Sequence, residues 1–240
     1  MTQRTVVCIP TYNERENLPL ILGRLFAANP TVHALVIDDG SPDGTGALAD
    51  EMAANDGRIS VLHRTEKAGL GAAYRAGFAH ALSSGAELIV EMDADGSHQP
   101  EQLPALLART GEADLVLGSR WVRGGSVRNW PFHRKVLSLG GNLYARLLLR
   151  VPIRDITGGY RVFRASTLLA IDYANVTTQG YVFQVDMAYR VTRAGLRVIE
   201  VPIEFVEREL GASKMSQKIV LEAMQQVTVW GVRSLLRRDH

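Results

Sequence analysis

Two acidic turns hold the residues of this chain best suited to chemistry. One closes an apolar run, Val90-Glu91-Met92-Asp93-Ala94-Asp95, with two carboxylates one residue apart. The other lies upstream and reads Val36-Ile37-Asp38-Asp39-Gly40-Ser41-Pro42-Asp43-Gly44-Thr45. Carboxylates at the end of a buried strand are costly unless something cationic meets them. Mg²⁺ or Mn²⁺ fits that need, because both prefer oxygen ligands and bridge protein carboxylates to phosphates. A divalent cation carrying a diphosphate at Asp93 and Asp95 points to an enzyme that handles nucleotide sugars.

The elements that must position these turns can be read from the pattern around them. Apolar, β-branched runs at 5–9, 34–37, 59–62, 87–92 and 114–118 predict strands. Stretches at 14–28, 43–54, 70–83 and 100–108 have helical spacing. This βαβα alternation predicts an α/β fold with a Rossmann-like, mostly parallel central sheet flanked by helices. Such sheets bind ligands beyond the carboxyl ends of their strands. Pro10-Thr11-Tyr12-Asn13-Glu14, Asp38-Asp39 and Asp93-Ala94-Asp95 all fall at that edge.

After Arg120 the alternation loosens. Gly124-Gly125-Ser126 predicts a flexible loop, 132–149 a helix that starts after Asn129-Trp130-Pro131, and 161–164 a short strand. A helix at 183–194 and an apolar strand at 197–205 follow. The tail, 213–236, reads as an amphipathic helix with one narrow polar stripe at Glu222, Gln226 and Arg233. So wide an apolar arc calls for burial against protein or at a membrane interface. The expected division is therefore a catalytic domain over 1–212 and a helical tail over 213–240.

Composition narrows the setting. With 240 residues, 46% hydrophobic and 22% charged, the chain has ample length for a core. The single cysteine, Cys8, excludes an internal disulfide and is expected in the core, which suits a reducing, cytoplasmic compartment. Neither a signal peptide nor the run of about 18 apolar residues needed for a spanning helix is evident. Net charge is only +2, yet residues 119–164 hold ten Arg or Lys against one acid, Asp155. A basic stretch like this suits phosphate-bearing substrates or an anionic membrane surface. With few interleaved aromatics and no recognisable binding motif, it does not suit nucleic acid.

Eight motifs in order over residues 10–214 carry a resemblance: 10–14, 38–45, Lys67-Ala68-Gly69-Leu70-Gly71-Ala72-Ala73-Tyr74, 92–95, Gly118-Ser119-Arg120, Asp155-Ile156-Thr157-Gly158-Gly159-Tyr160-Arg161, Gly180-Tyr181-Val182-Phe183-Gln184, and Arg208 to Gly211 with Ser213 and Lys214. Together they resemble the inverting GT-A glycosyltransferases, and within them the polyprenyl-phosphate (dolichyl-phosphate-type) mannose synthases. The resemblance implies a GT-A fold and transfer of mannose from GDP-mannose to a polyprenyl phosphate, giving a β-linked product.

It also implies roles for particular residues. Pro10, Tyr12, Glu14, Ile37 and Asp39 would contact guanine and ribose, with Asp38 holding the turn or capping the next helix. Asp93 and Asp95, with Ala94 between them, would hold the Mg²⁺ or Mn²⁺ that makes GDP a better leaving group. Where some relatives carry a further metal ligand, Gln, this chain has Ser97, a shorter and weaker one; His98 reads as a polar loop residue. Arg120 and Arg134, with Ser138 one turn further on, would bind the acceptor phosphate. Arg208 and Lys214 would close a loop over the donor phosphates. An acceptor phosphate is already ionised and needs no base, so Asp186, where relatives commonly carry Glu, would shape the acceptor pocket. The enzyme is then expected to reach its lipid by peripheral contact with the membrane or through a membrane-embedded partner subunit. Competing readings are a UDP-glucose polyprenyl-phosphate glycosyltransferase, a sugar-1-phosphate nucleotidyltransferase and a non-catalytic nucleotide-binding module.

Overall fold

Alternation of side chains along the first strands sorts the interior into two layers. The computed structural model describes residues 3–207 and 217–236. In β1 (Thr5–Thr11), Val6 and Cys8 face one core while Val7 and Ile9 face the other. In β2 (His33–Asp38) Leu35 and Ile37 divide from Ala34 and Val36 in the same way. Strands covered on both faces read as unbroken apolar runs, and these do. Cys8 lies at the centre, fully buried, and burial raises its thiol pKa well above the ordinary range.

The strands β3 (Ile59–His63), β4 (Leu88–Glu91), β5 (Leu115–Ser119), β7 (Arg161–Arg164) and β8 (Val198–Pro202) complete a seven-stranded sheet of order β3-β2-β1-β4-β7-β5-β8. All its pairings are parallel except those of β7, which runs antiparallel to β4 and β5. The chain winds outward from β1 through β2 to β3 and then returns to place β4 on the other side of β1. That reversal opens a crevice beyond the carboxyl ends of β1, β2 and β4. Register sets Thr11 level with Asp38 and Cys8 level with Glu91, so both acidic turns emerge at the same edge.

One face is covered by α1 (Asn17–Ala28), α2 (Thr45–Asn55) and α4 (Leu103–Leu107); the other is covered by α3 (Leu70–Ser83), α5 (Phe132–Leu149) and α7 (Gly180–Arg193). A short α6 (Ala165–Ala170) follows β7. The last helix, α8 (Gln217–Leu236), packs on α5 and α7. Tyr144 and Thr228 share a hydrogen bond of 2.6 Å, and Trp230 stacks on Tyr189.

The structure corrects several sequence expectations. Gly124-Gly125-Ser126 is not a free loop: β6 (Ser126–Arg128) pairs in parallel with β9 (Glu204–Val206). Gly125 is needed there because a Cβ would fall 2.5 Å from the Ser119 carbonyl oxygen. The run at 197–205 accordingly divides into β8 and β9. Helix α1 starts three residues later than its spacing suggests, because residues 13–16 form a turn in which Asn13 has a φ of 59° and the Glu14 carbonyl accepts from the amides of Asn17 and Leu18. The stretch at 100–108 splits into a 3₁₀ turn, Pro100–Gln102, and α4.

Beneath the crevice, Glu91 and Arg161 are both fully buried, 3.9 Å apart. Arg161 donates to the carbonyls of Gly158, Gln184 and Ile156. Burial pushes the Glu91 carboxyl up to about 7, and Arg161 opposes that rise. The folded protein therefore holds this proton more tightly than the unfolded chain does. The resulting stability is fully present below the ordinary carboxylate range and is lost as pH rises through about 7. Glu91→Gln should flatten the fall in melting temperature between about pH 5 and about pH 8; an unchanged pH slope in calorimetry would contradict this.

Candidate active site

At the ends of β1 and β2, side chains bind the two turns together. The Thr11 hydroxyl lies within hydrogen-bond reach of the Ile37 carbonyl (3.4 Å) and of Asp38 Oδ1 (3.2 Å). Asp38, which is buried, also accepts from the Ser41 amide at 3.1 Å and the Ser41 hydroxyl at 2.5 Å. It therefore holds the turn, and Asp43 caps α2 by accepting from the Thr45 amide at 3.0 Å. Asp39 pairs with Arg64 at 2.5 Å; burial raises its carboxyl, with Arg64 pulling it back. The Lys67 ammonium sits 3.6 Å from the centre of the Tyr12 ring, a cation–π contact that ties the 67–74 motif to the first turn. Glu14 receives the Asn17 amide at 2.7 Å and gives its own N–H to Thr45. Pro10, Tyr12, Glu14 and Asp39 thus meet at one edge. Ile37 differs: its side chain is sealed in the core, so only its backbone can face a ligand.

Two hydroxyls reach the carboxylate pair after β4. Tyr74 donates to Asp93 Oδ1 at 3.4 Å, and Asp95 Oδ1 accepts from the Ser97 amide at 3.0 Å and the Ser97 hydroxyl at 2.6 Å. Ser97 is buried and donates its hydroxyl proton to Asp95, which orients that carboxylate and leaves the Oγ lone pairs for a metal. The Ala94 methyl lies in the core, leaving only its backbone to the crevice. His98, also buried, accepts the Asp93 amide at Nδ1 (3.0 Å) and stacks on Tyr160 at 4.9 Å. Burial lowers its pKa, so the neutral ring carries its proton on Nε2. Among the described residues no three His, Cys, Asp or Glu side chains make a complete metal cage. Two carboxylates still suit Mg²⁺ or Mn²⁺, hard cations that complete their shells with water and substrate oxygens.

On the opposite wall, Arg120 is buried against Asp155. That carboxylate accepts from the Arg120 amide at 2.8 Å, Nε at 2.7 Å and Nη2 at 2.6 Å. Nη2 also reaches Thr157, which Asn142 of α5 holds at 3.1 Å. Arg134, at the start of α5, pairs with Glu207. Both guanidiniums lie against the same indole: Trp130 is 5.4 Å from Arg120 and 4.1 Å from Arg134. Ser138 follows one turn along α5, partly buried. Asp186 accepts from Arg190 at 2.8 Å and Thr178 at 3.1 Å. Arg208 and Lys214 lie outside the described residues.

Three residues given no site role by sequence reasoning, Asp155, Trp130 and Phe205, join the two walls. Phe205 of β9 packs edge-on against both His98 (5.6 Å) and Trp130 (5.4 Å), and lies 5.4 Å from Arg120. Asp155 opens a motif the sequence displays, but its partner is 35 residues away. Trp130 read only as part of a helix start and Phe205 only as the end of an apolar strand, so neither pointed to the site.

The comparisons with known proteins bear on family and fold. A family model described as glycosyl transferase family 2 matches residues 6–171. A polyprenol monophosphomannose synthase of Mycolicibacterium smegmatis is 59% identical over 239 residues, covering 99% of this chain and 90% of its own. An undecaprenyl-phosphate mannosyltransferase of Micrococcus luteus is 58% identical, covering 95% and 94%. Among solved structures, a glucosyl-3-phosphoglycerate synthase of Mycobacterium tuberculosis, in complex with Mn²⁺, UDP-glucose and phosphoglyceric acid, aligns with a TM-score of 0.68 at 18% identity over 97% of this chain and 79% of that one. A mannosyltransferase of Pyrobaculum calidifontis in complex with GDP-Man and Mn²⁺ aligns at 0.63 and 18%, covering 99% of this chain and 65% of that longer one. The fold is that of these GT-A enzymes.

His98 is the support for Asp93 that a single substitution can remove. His98→Ala should raise the Mn²⁺ concentration for half-maximal nucleotide binding by about 10- to 100-fold, the usual cost of losing a group that orients a metal ligand. An unchanged Mn²⁺ titration would rule that role out.

Proposed function

The chain belongs to glycosyl transferase family 2, and on that premise we propose that it transfers mannose from GDP-mannose to a polyprenyl phosphate with inversion, giving polyprenyl-phosphate β-mannose. The observation that carries the reading is the pair of arginines, Arg120 and Arg134, set against Trp130 and coupled through Phe205 and His98 to the Asp93-Ala94-Asp95 turn. Guanidiniums suit a phosphate; Arg120, whose Nε and Nη2 are held by Asp155, would offer it a fixed positive charge, and Arg134 would exchange Glu207 for it. Support for the lipid acceptor comes from the names of two relatives near 60% identity. Support for a guanine-nucleotide donor comes from the mannosyltransferase complex with GDP-Man.

On this reading Pro10, Tyr12, Glu14 and Asp39 hold the nucleoside, with Ile37 and Ala94 contributing backbone only. Asp93 and Asp95 hold the metal, and Ser97 and His98 fix their orientation. When bound, Mg²⁺ or Mn²⁺ neutralises the donor diphosphate and eases departure of GDP. Arg120 and Arg134 draw the acceptor phosphate into line with the anomeric carbon, and Ser138 adds a hydroxyl from the same helix. The attacking oxygen is ionised near neutral pH, so the work is alignment and charge neutralisation. Arg208 and Lys214 close over the donor phosphates. Among the described residues no helix is long and apolar enough to cross a membrane. In this proposal the enzyme meets its lipid on the cytoplasmic face, by peripheral contact or with a membrane-embedded partner. Residues 1–212 form the catalytic domain, and 213–240 a tail that docks through α8.

Radiolabelled mannose should pass from GDP-mannose to a short polyprenyl phosphate with Mg²⁺ or Mn²⁺ and stop with EDTA. Asp95→Asn should lower kcat about a thousandfold, equivalent to about 4 kcal/mol of lost stabilisation. Product from UDP-glucose in place of GDP-mannose would overturn the donor assignment; no lipid product with any donor would overturn the reaction.

A further inference from the structure

One surface is left over once the core and the crevice are accounted for. Helix α5 buries one face, through Asn142, Ala145 and Leu149, and Tyr144 and Leu148 on its flank meet α8. Its outer face should then be polar. Instead Phe132, Val136, Leu139, Leu143 and Leu147 recur there at three- and four-residue spacing, and they are 80%, 52%, 47%, 53% and 65% exposed. A stripe of large apolar side chains five residues long marks an interaction surface. The tail helix packs beside it and leaves it open, and α8 itself exposes Val229 and Val232.

We infer that this outer face of α5, rather than the tail alone, docks the enzyme on an anionic lipid bilayer, with its apolar stripe lying among the headgroups. Charge complementarity selects that occupant. Lys135 and Arg146 border the stripe along one edge and Arg150 follows at the end of the helix, α5 contains no acidic residue, and the one acid of the 119–164 stretch, Asp155, is fully buried against Arg120. A second copy of the same face would bring its own basic edge with it, whereas an anionic surface answers both the apolar and the cationic features. Stable anchoring usually takes two such signals together. Position agrees: Arg134 and Ser138, which receive the acceptor phosphate in the proposed function, lie on the same helix within two turns of Phe132. A helix lying at the headgroup level would bring that end of α5, and the crevice behind it, to the depth of a lipid phosphate. The inference rests on the proposed lipid acceptor only for this last point.

The test uses the full chain with two kinds of vesicle, phosphatidylcholine alone and phosphatidylcholine with phosphatidylglycerol, and a Leu143→Glu, Leu147→Glu double variant. Both leucines are solvent-exposed, so the variant should fold. Its transfer to a short, water-soluble polyprenyl phosphate without vesicles should match the wild type. Wild-type protein should float with the anionic vesicles and at least about tenfold less with the neutral ones, and the double variant should lose about tenfold of its anionic binding. Equal flotation of variant and wild type overturns the inference. So does a wild type that floats with neither vesicle but is a dimer in light scattering that the variant disperses, which gives the face to a second copy. Absence of transfer to the short acceptor in both proteins, with flotation as expected, would sink the proposed reaction and leave the docking surface standing.

Discussion

Negative charge gathered at one edge of a sheet is the constraint around which the rest of this structure is organised. Asp38, Asp39, Asp93 and Asp95 emerge there, with Glu91 buried just beneath. Each is met in its own way. Asp38 is absorbed by hydrogen bonds from Thr11 and Ser41, Asp39 by Arg64, and Glu91 by Arg161 in the strand beside it. Asp93 and Asp95 accept the hydroxyls of Tyr74 and Ser97. In the proposed function these two carboxylates hold the divalent cation, and water and substrate oxygens complete its shell.

The positive side of the crevice is equally constrained. An arginine buried this deeply survives only with a partner, and Asp155 accepts three of its bonds from Arg120. The pair is further tied to α5 through Thr157 and Asn142, and Trp130 and Phe205 pack around it. Arg120 is thus a fixed charge on a rigid wall, as preorganised electrostatics requires. Helix α5 then serves three surfaces at once. Its inner face packs on the core, its first turns place Arg134 and Ser138 at the crevice, and its outer face remains apolar.

What the sequence revealed was whatever depends on local pattern. Helices α3 and α5 and strand β7 fall where periodicity puts them, because each is a long or strongly apolar run with clear punctuation. The parallel half of the sheet was legible for the same reason, and with it the edge that gathers Pro10, Asp39 and Asp93. Pairing across the chain was not legible. Strand β6 exists because residues 126–128 find 204–206, and nothing in three residues announces a partner that far away. The site shows the same divide. Acidic turns and their spacing can be read directly, whereas the bond from His98 to the Asp93 amide, the indole shared by two arginines and the edge-on Phe205 are products of tertiary packing. Ile37 and Ala94 show the converse: motif position named them, and burial leaves them only a backbone role.

The account turns on Asp93 and Asp95 forming a half-site that substrate oxygens complete. The most direct measurement is calorimetric titration of Mn²⁺ into the protein with and without GDP, repeated on Asp93→Asn. Mn²⁺ should bind weakly alone, at least about tenfold more tightly with GDP present, and show no such coupling in the variant. Equal Mn²⁺ affinity with and without GDP, or coupling that survives in Asp93→Asn, would contradict it.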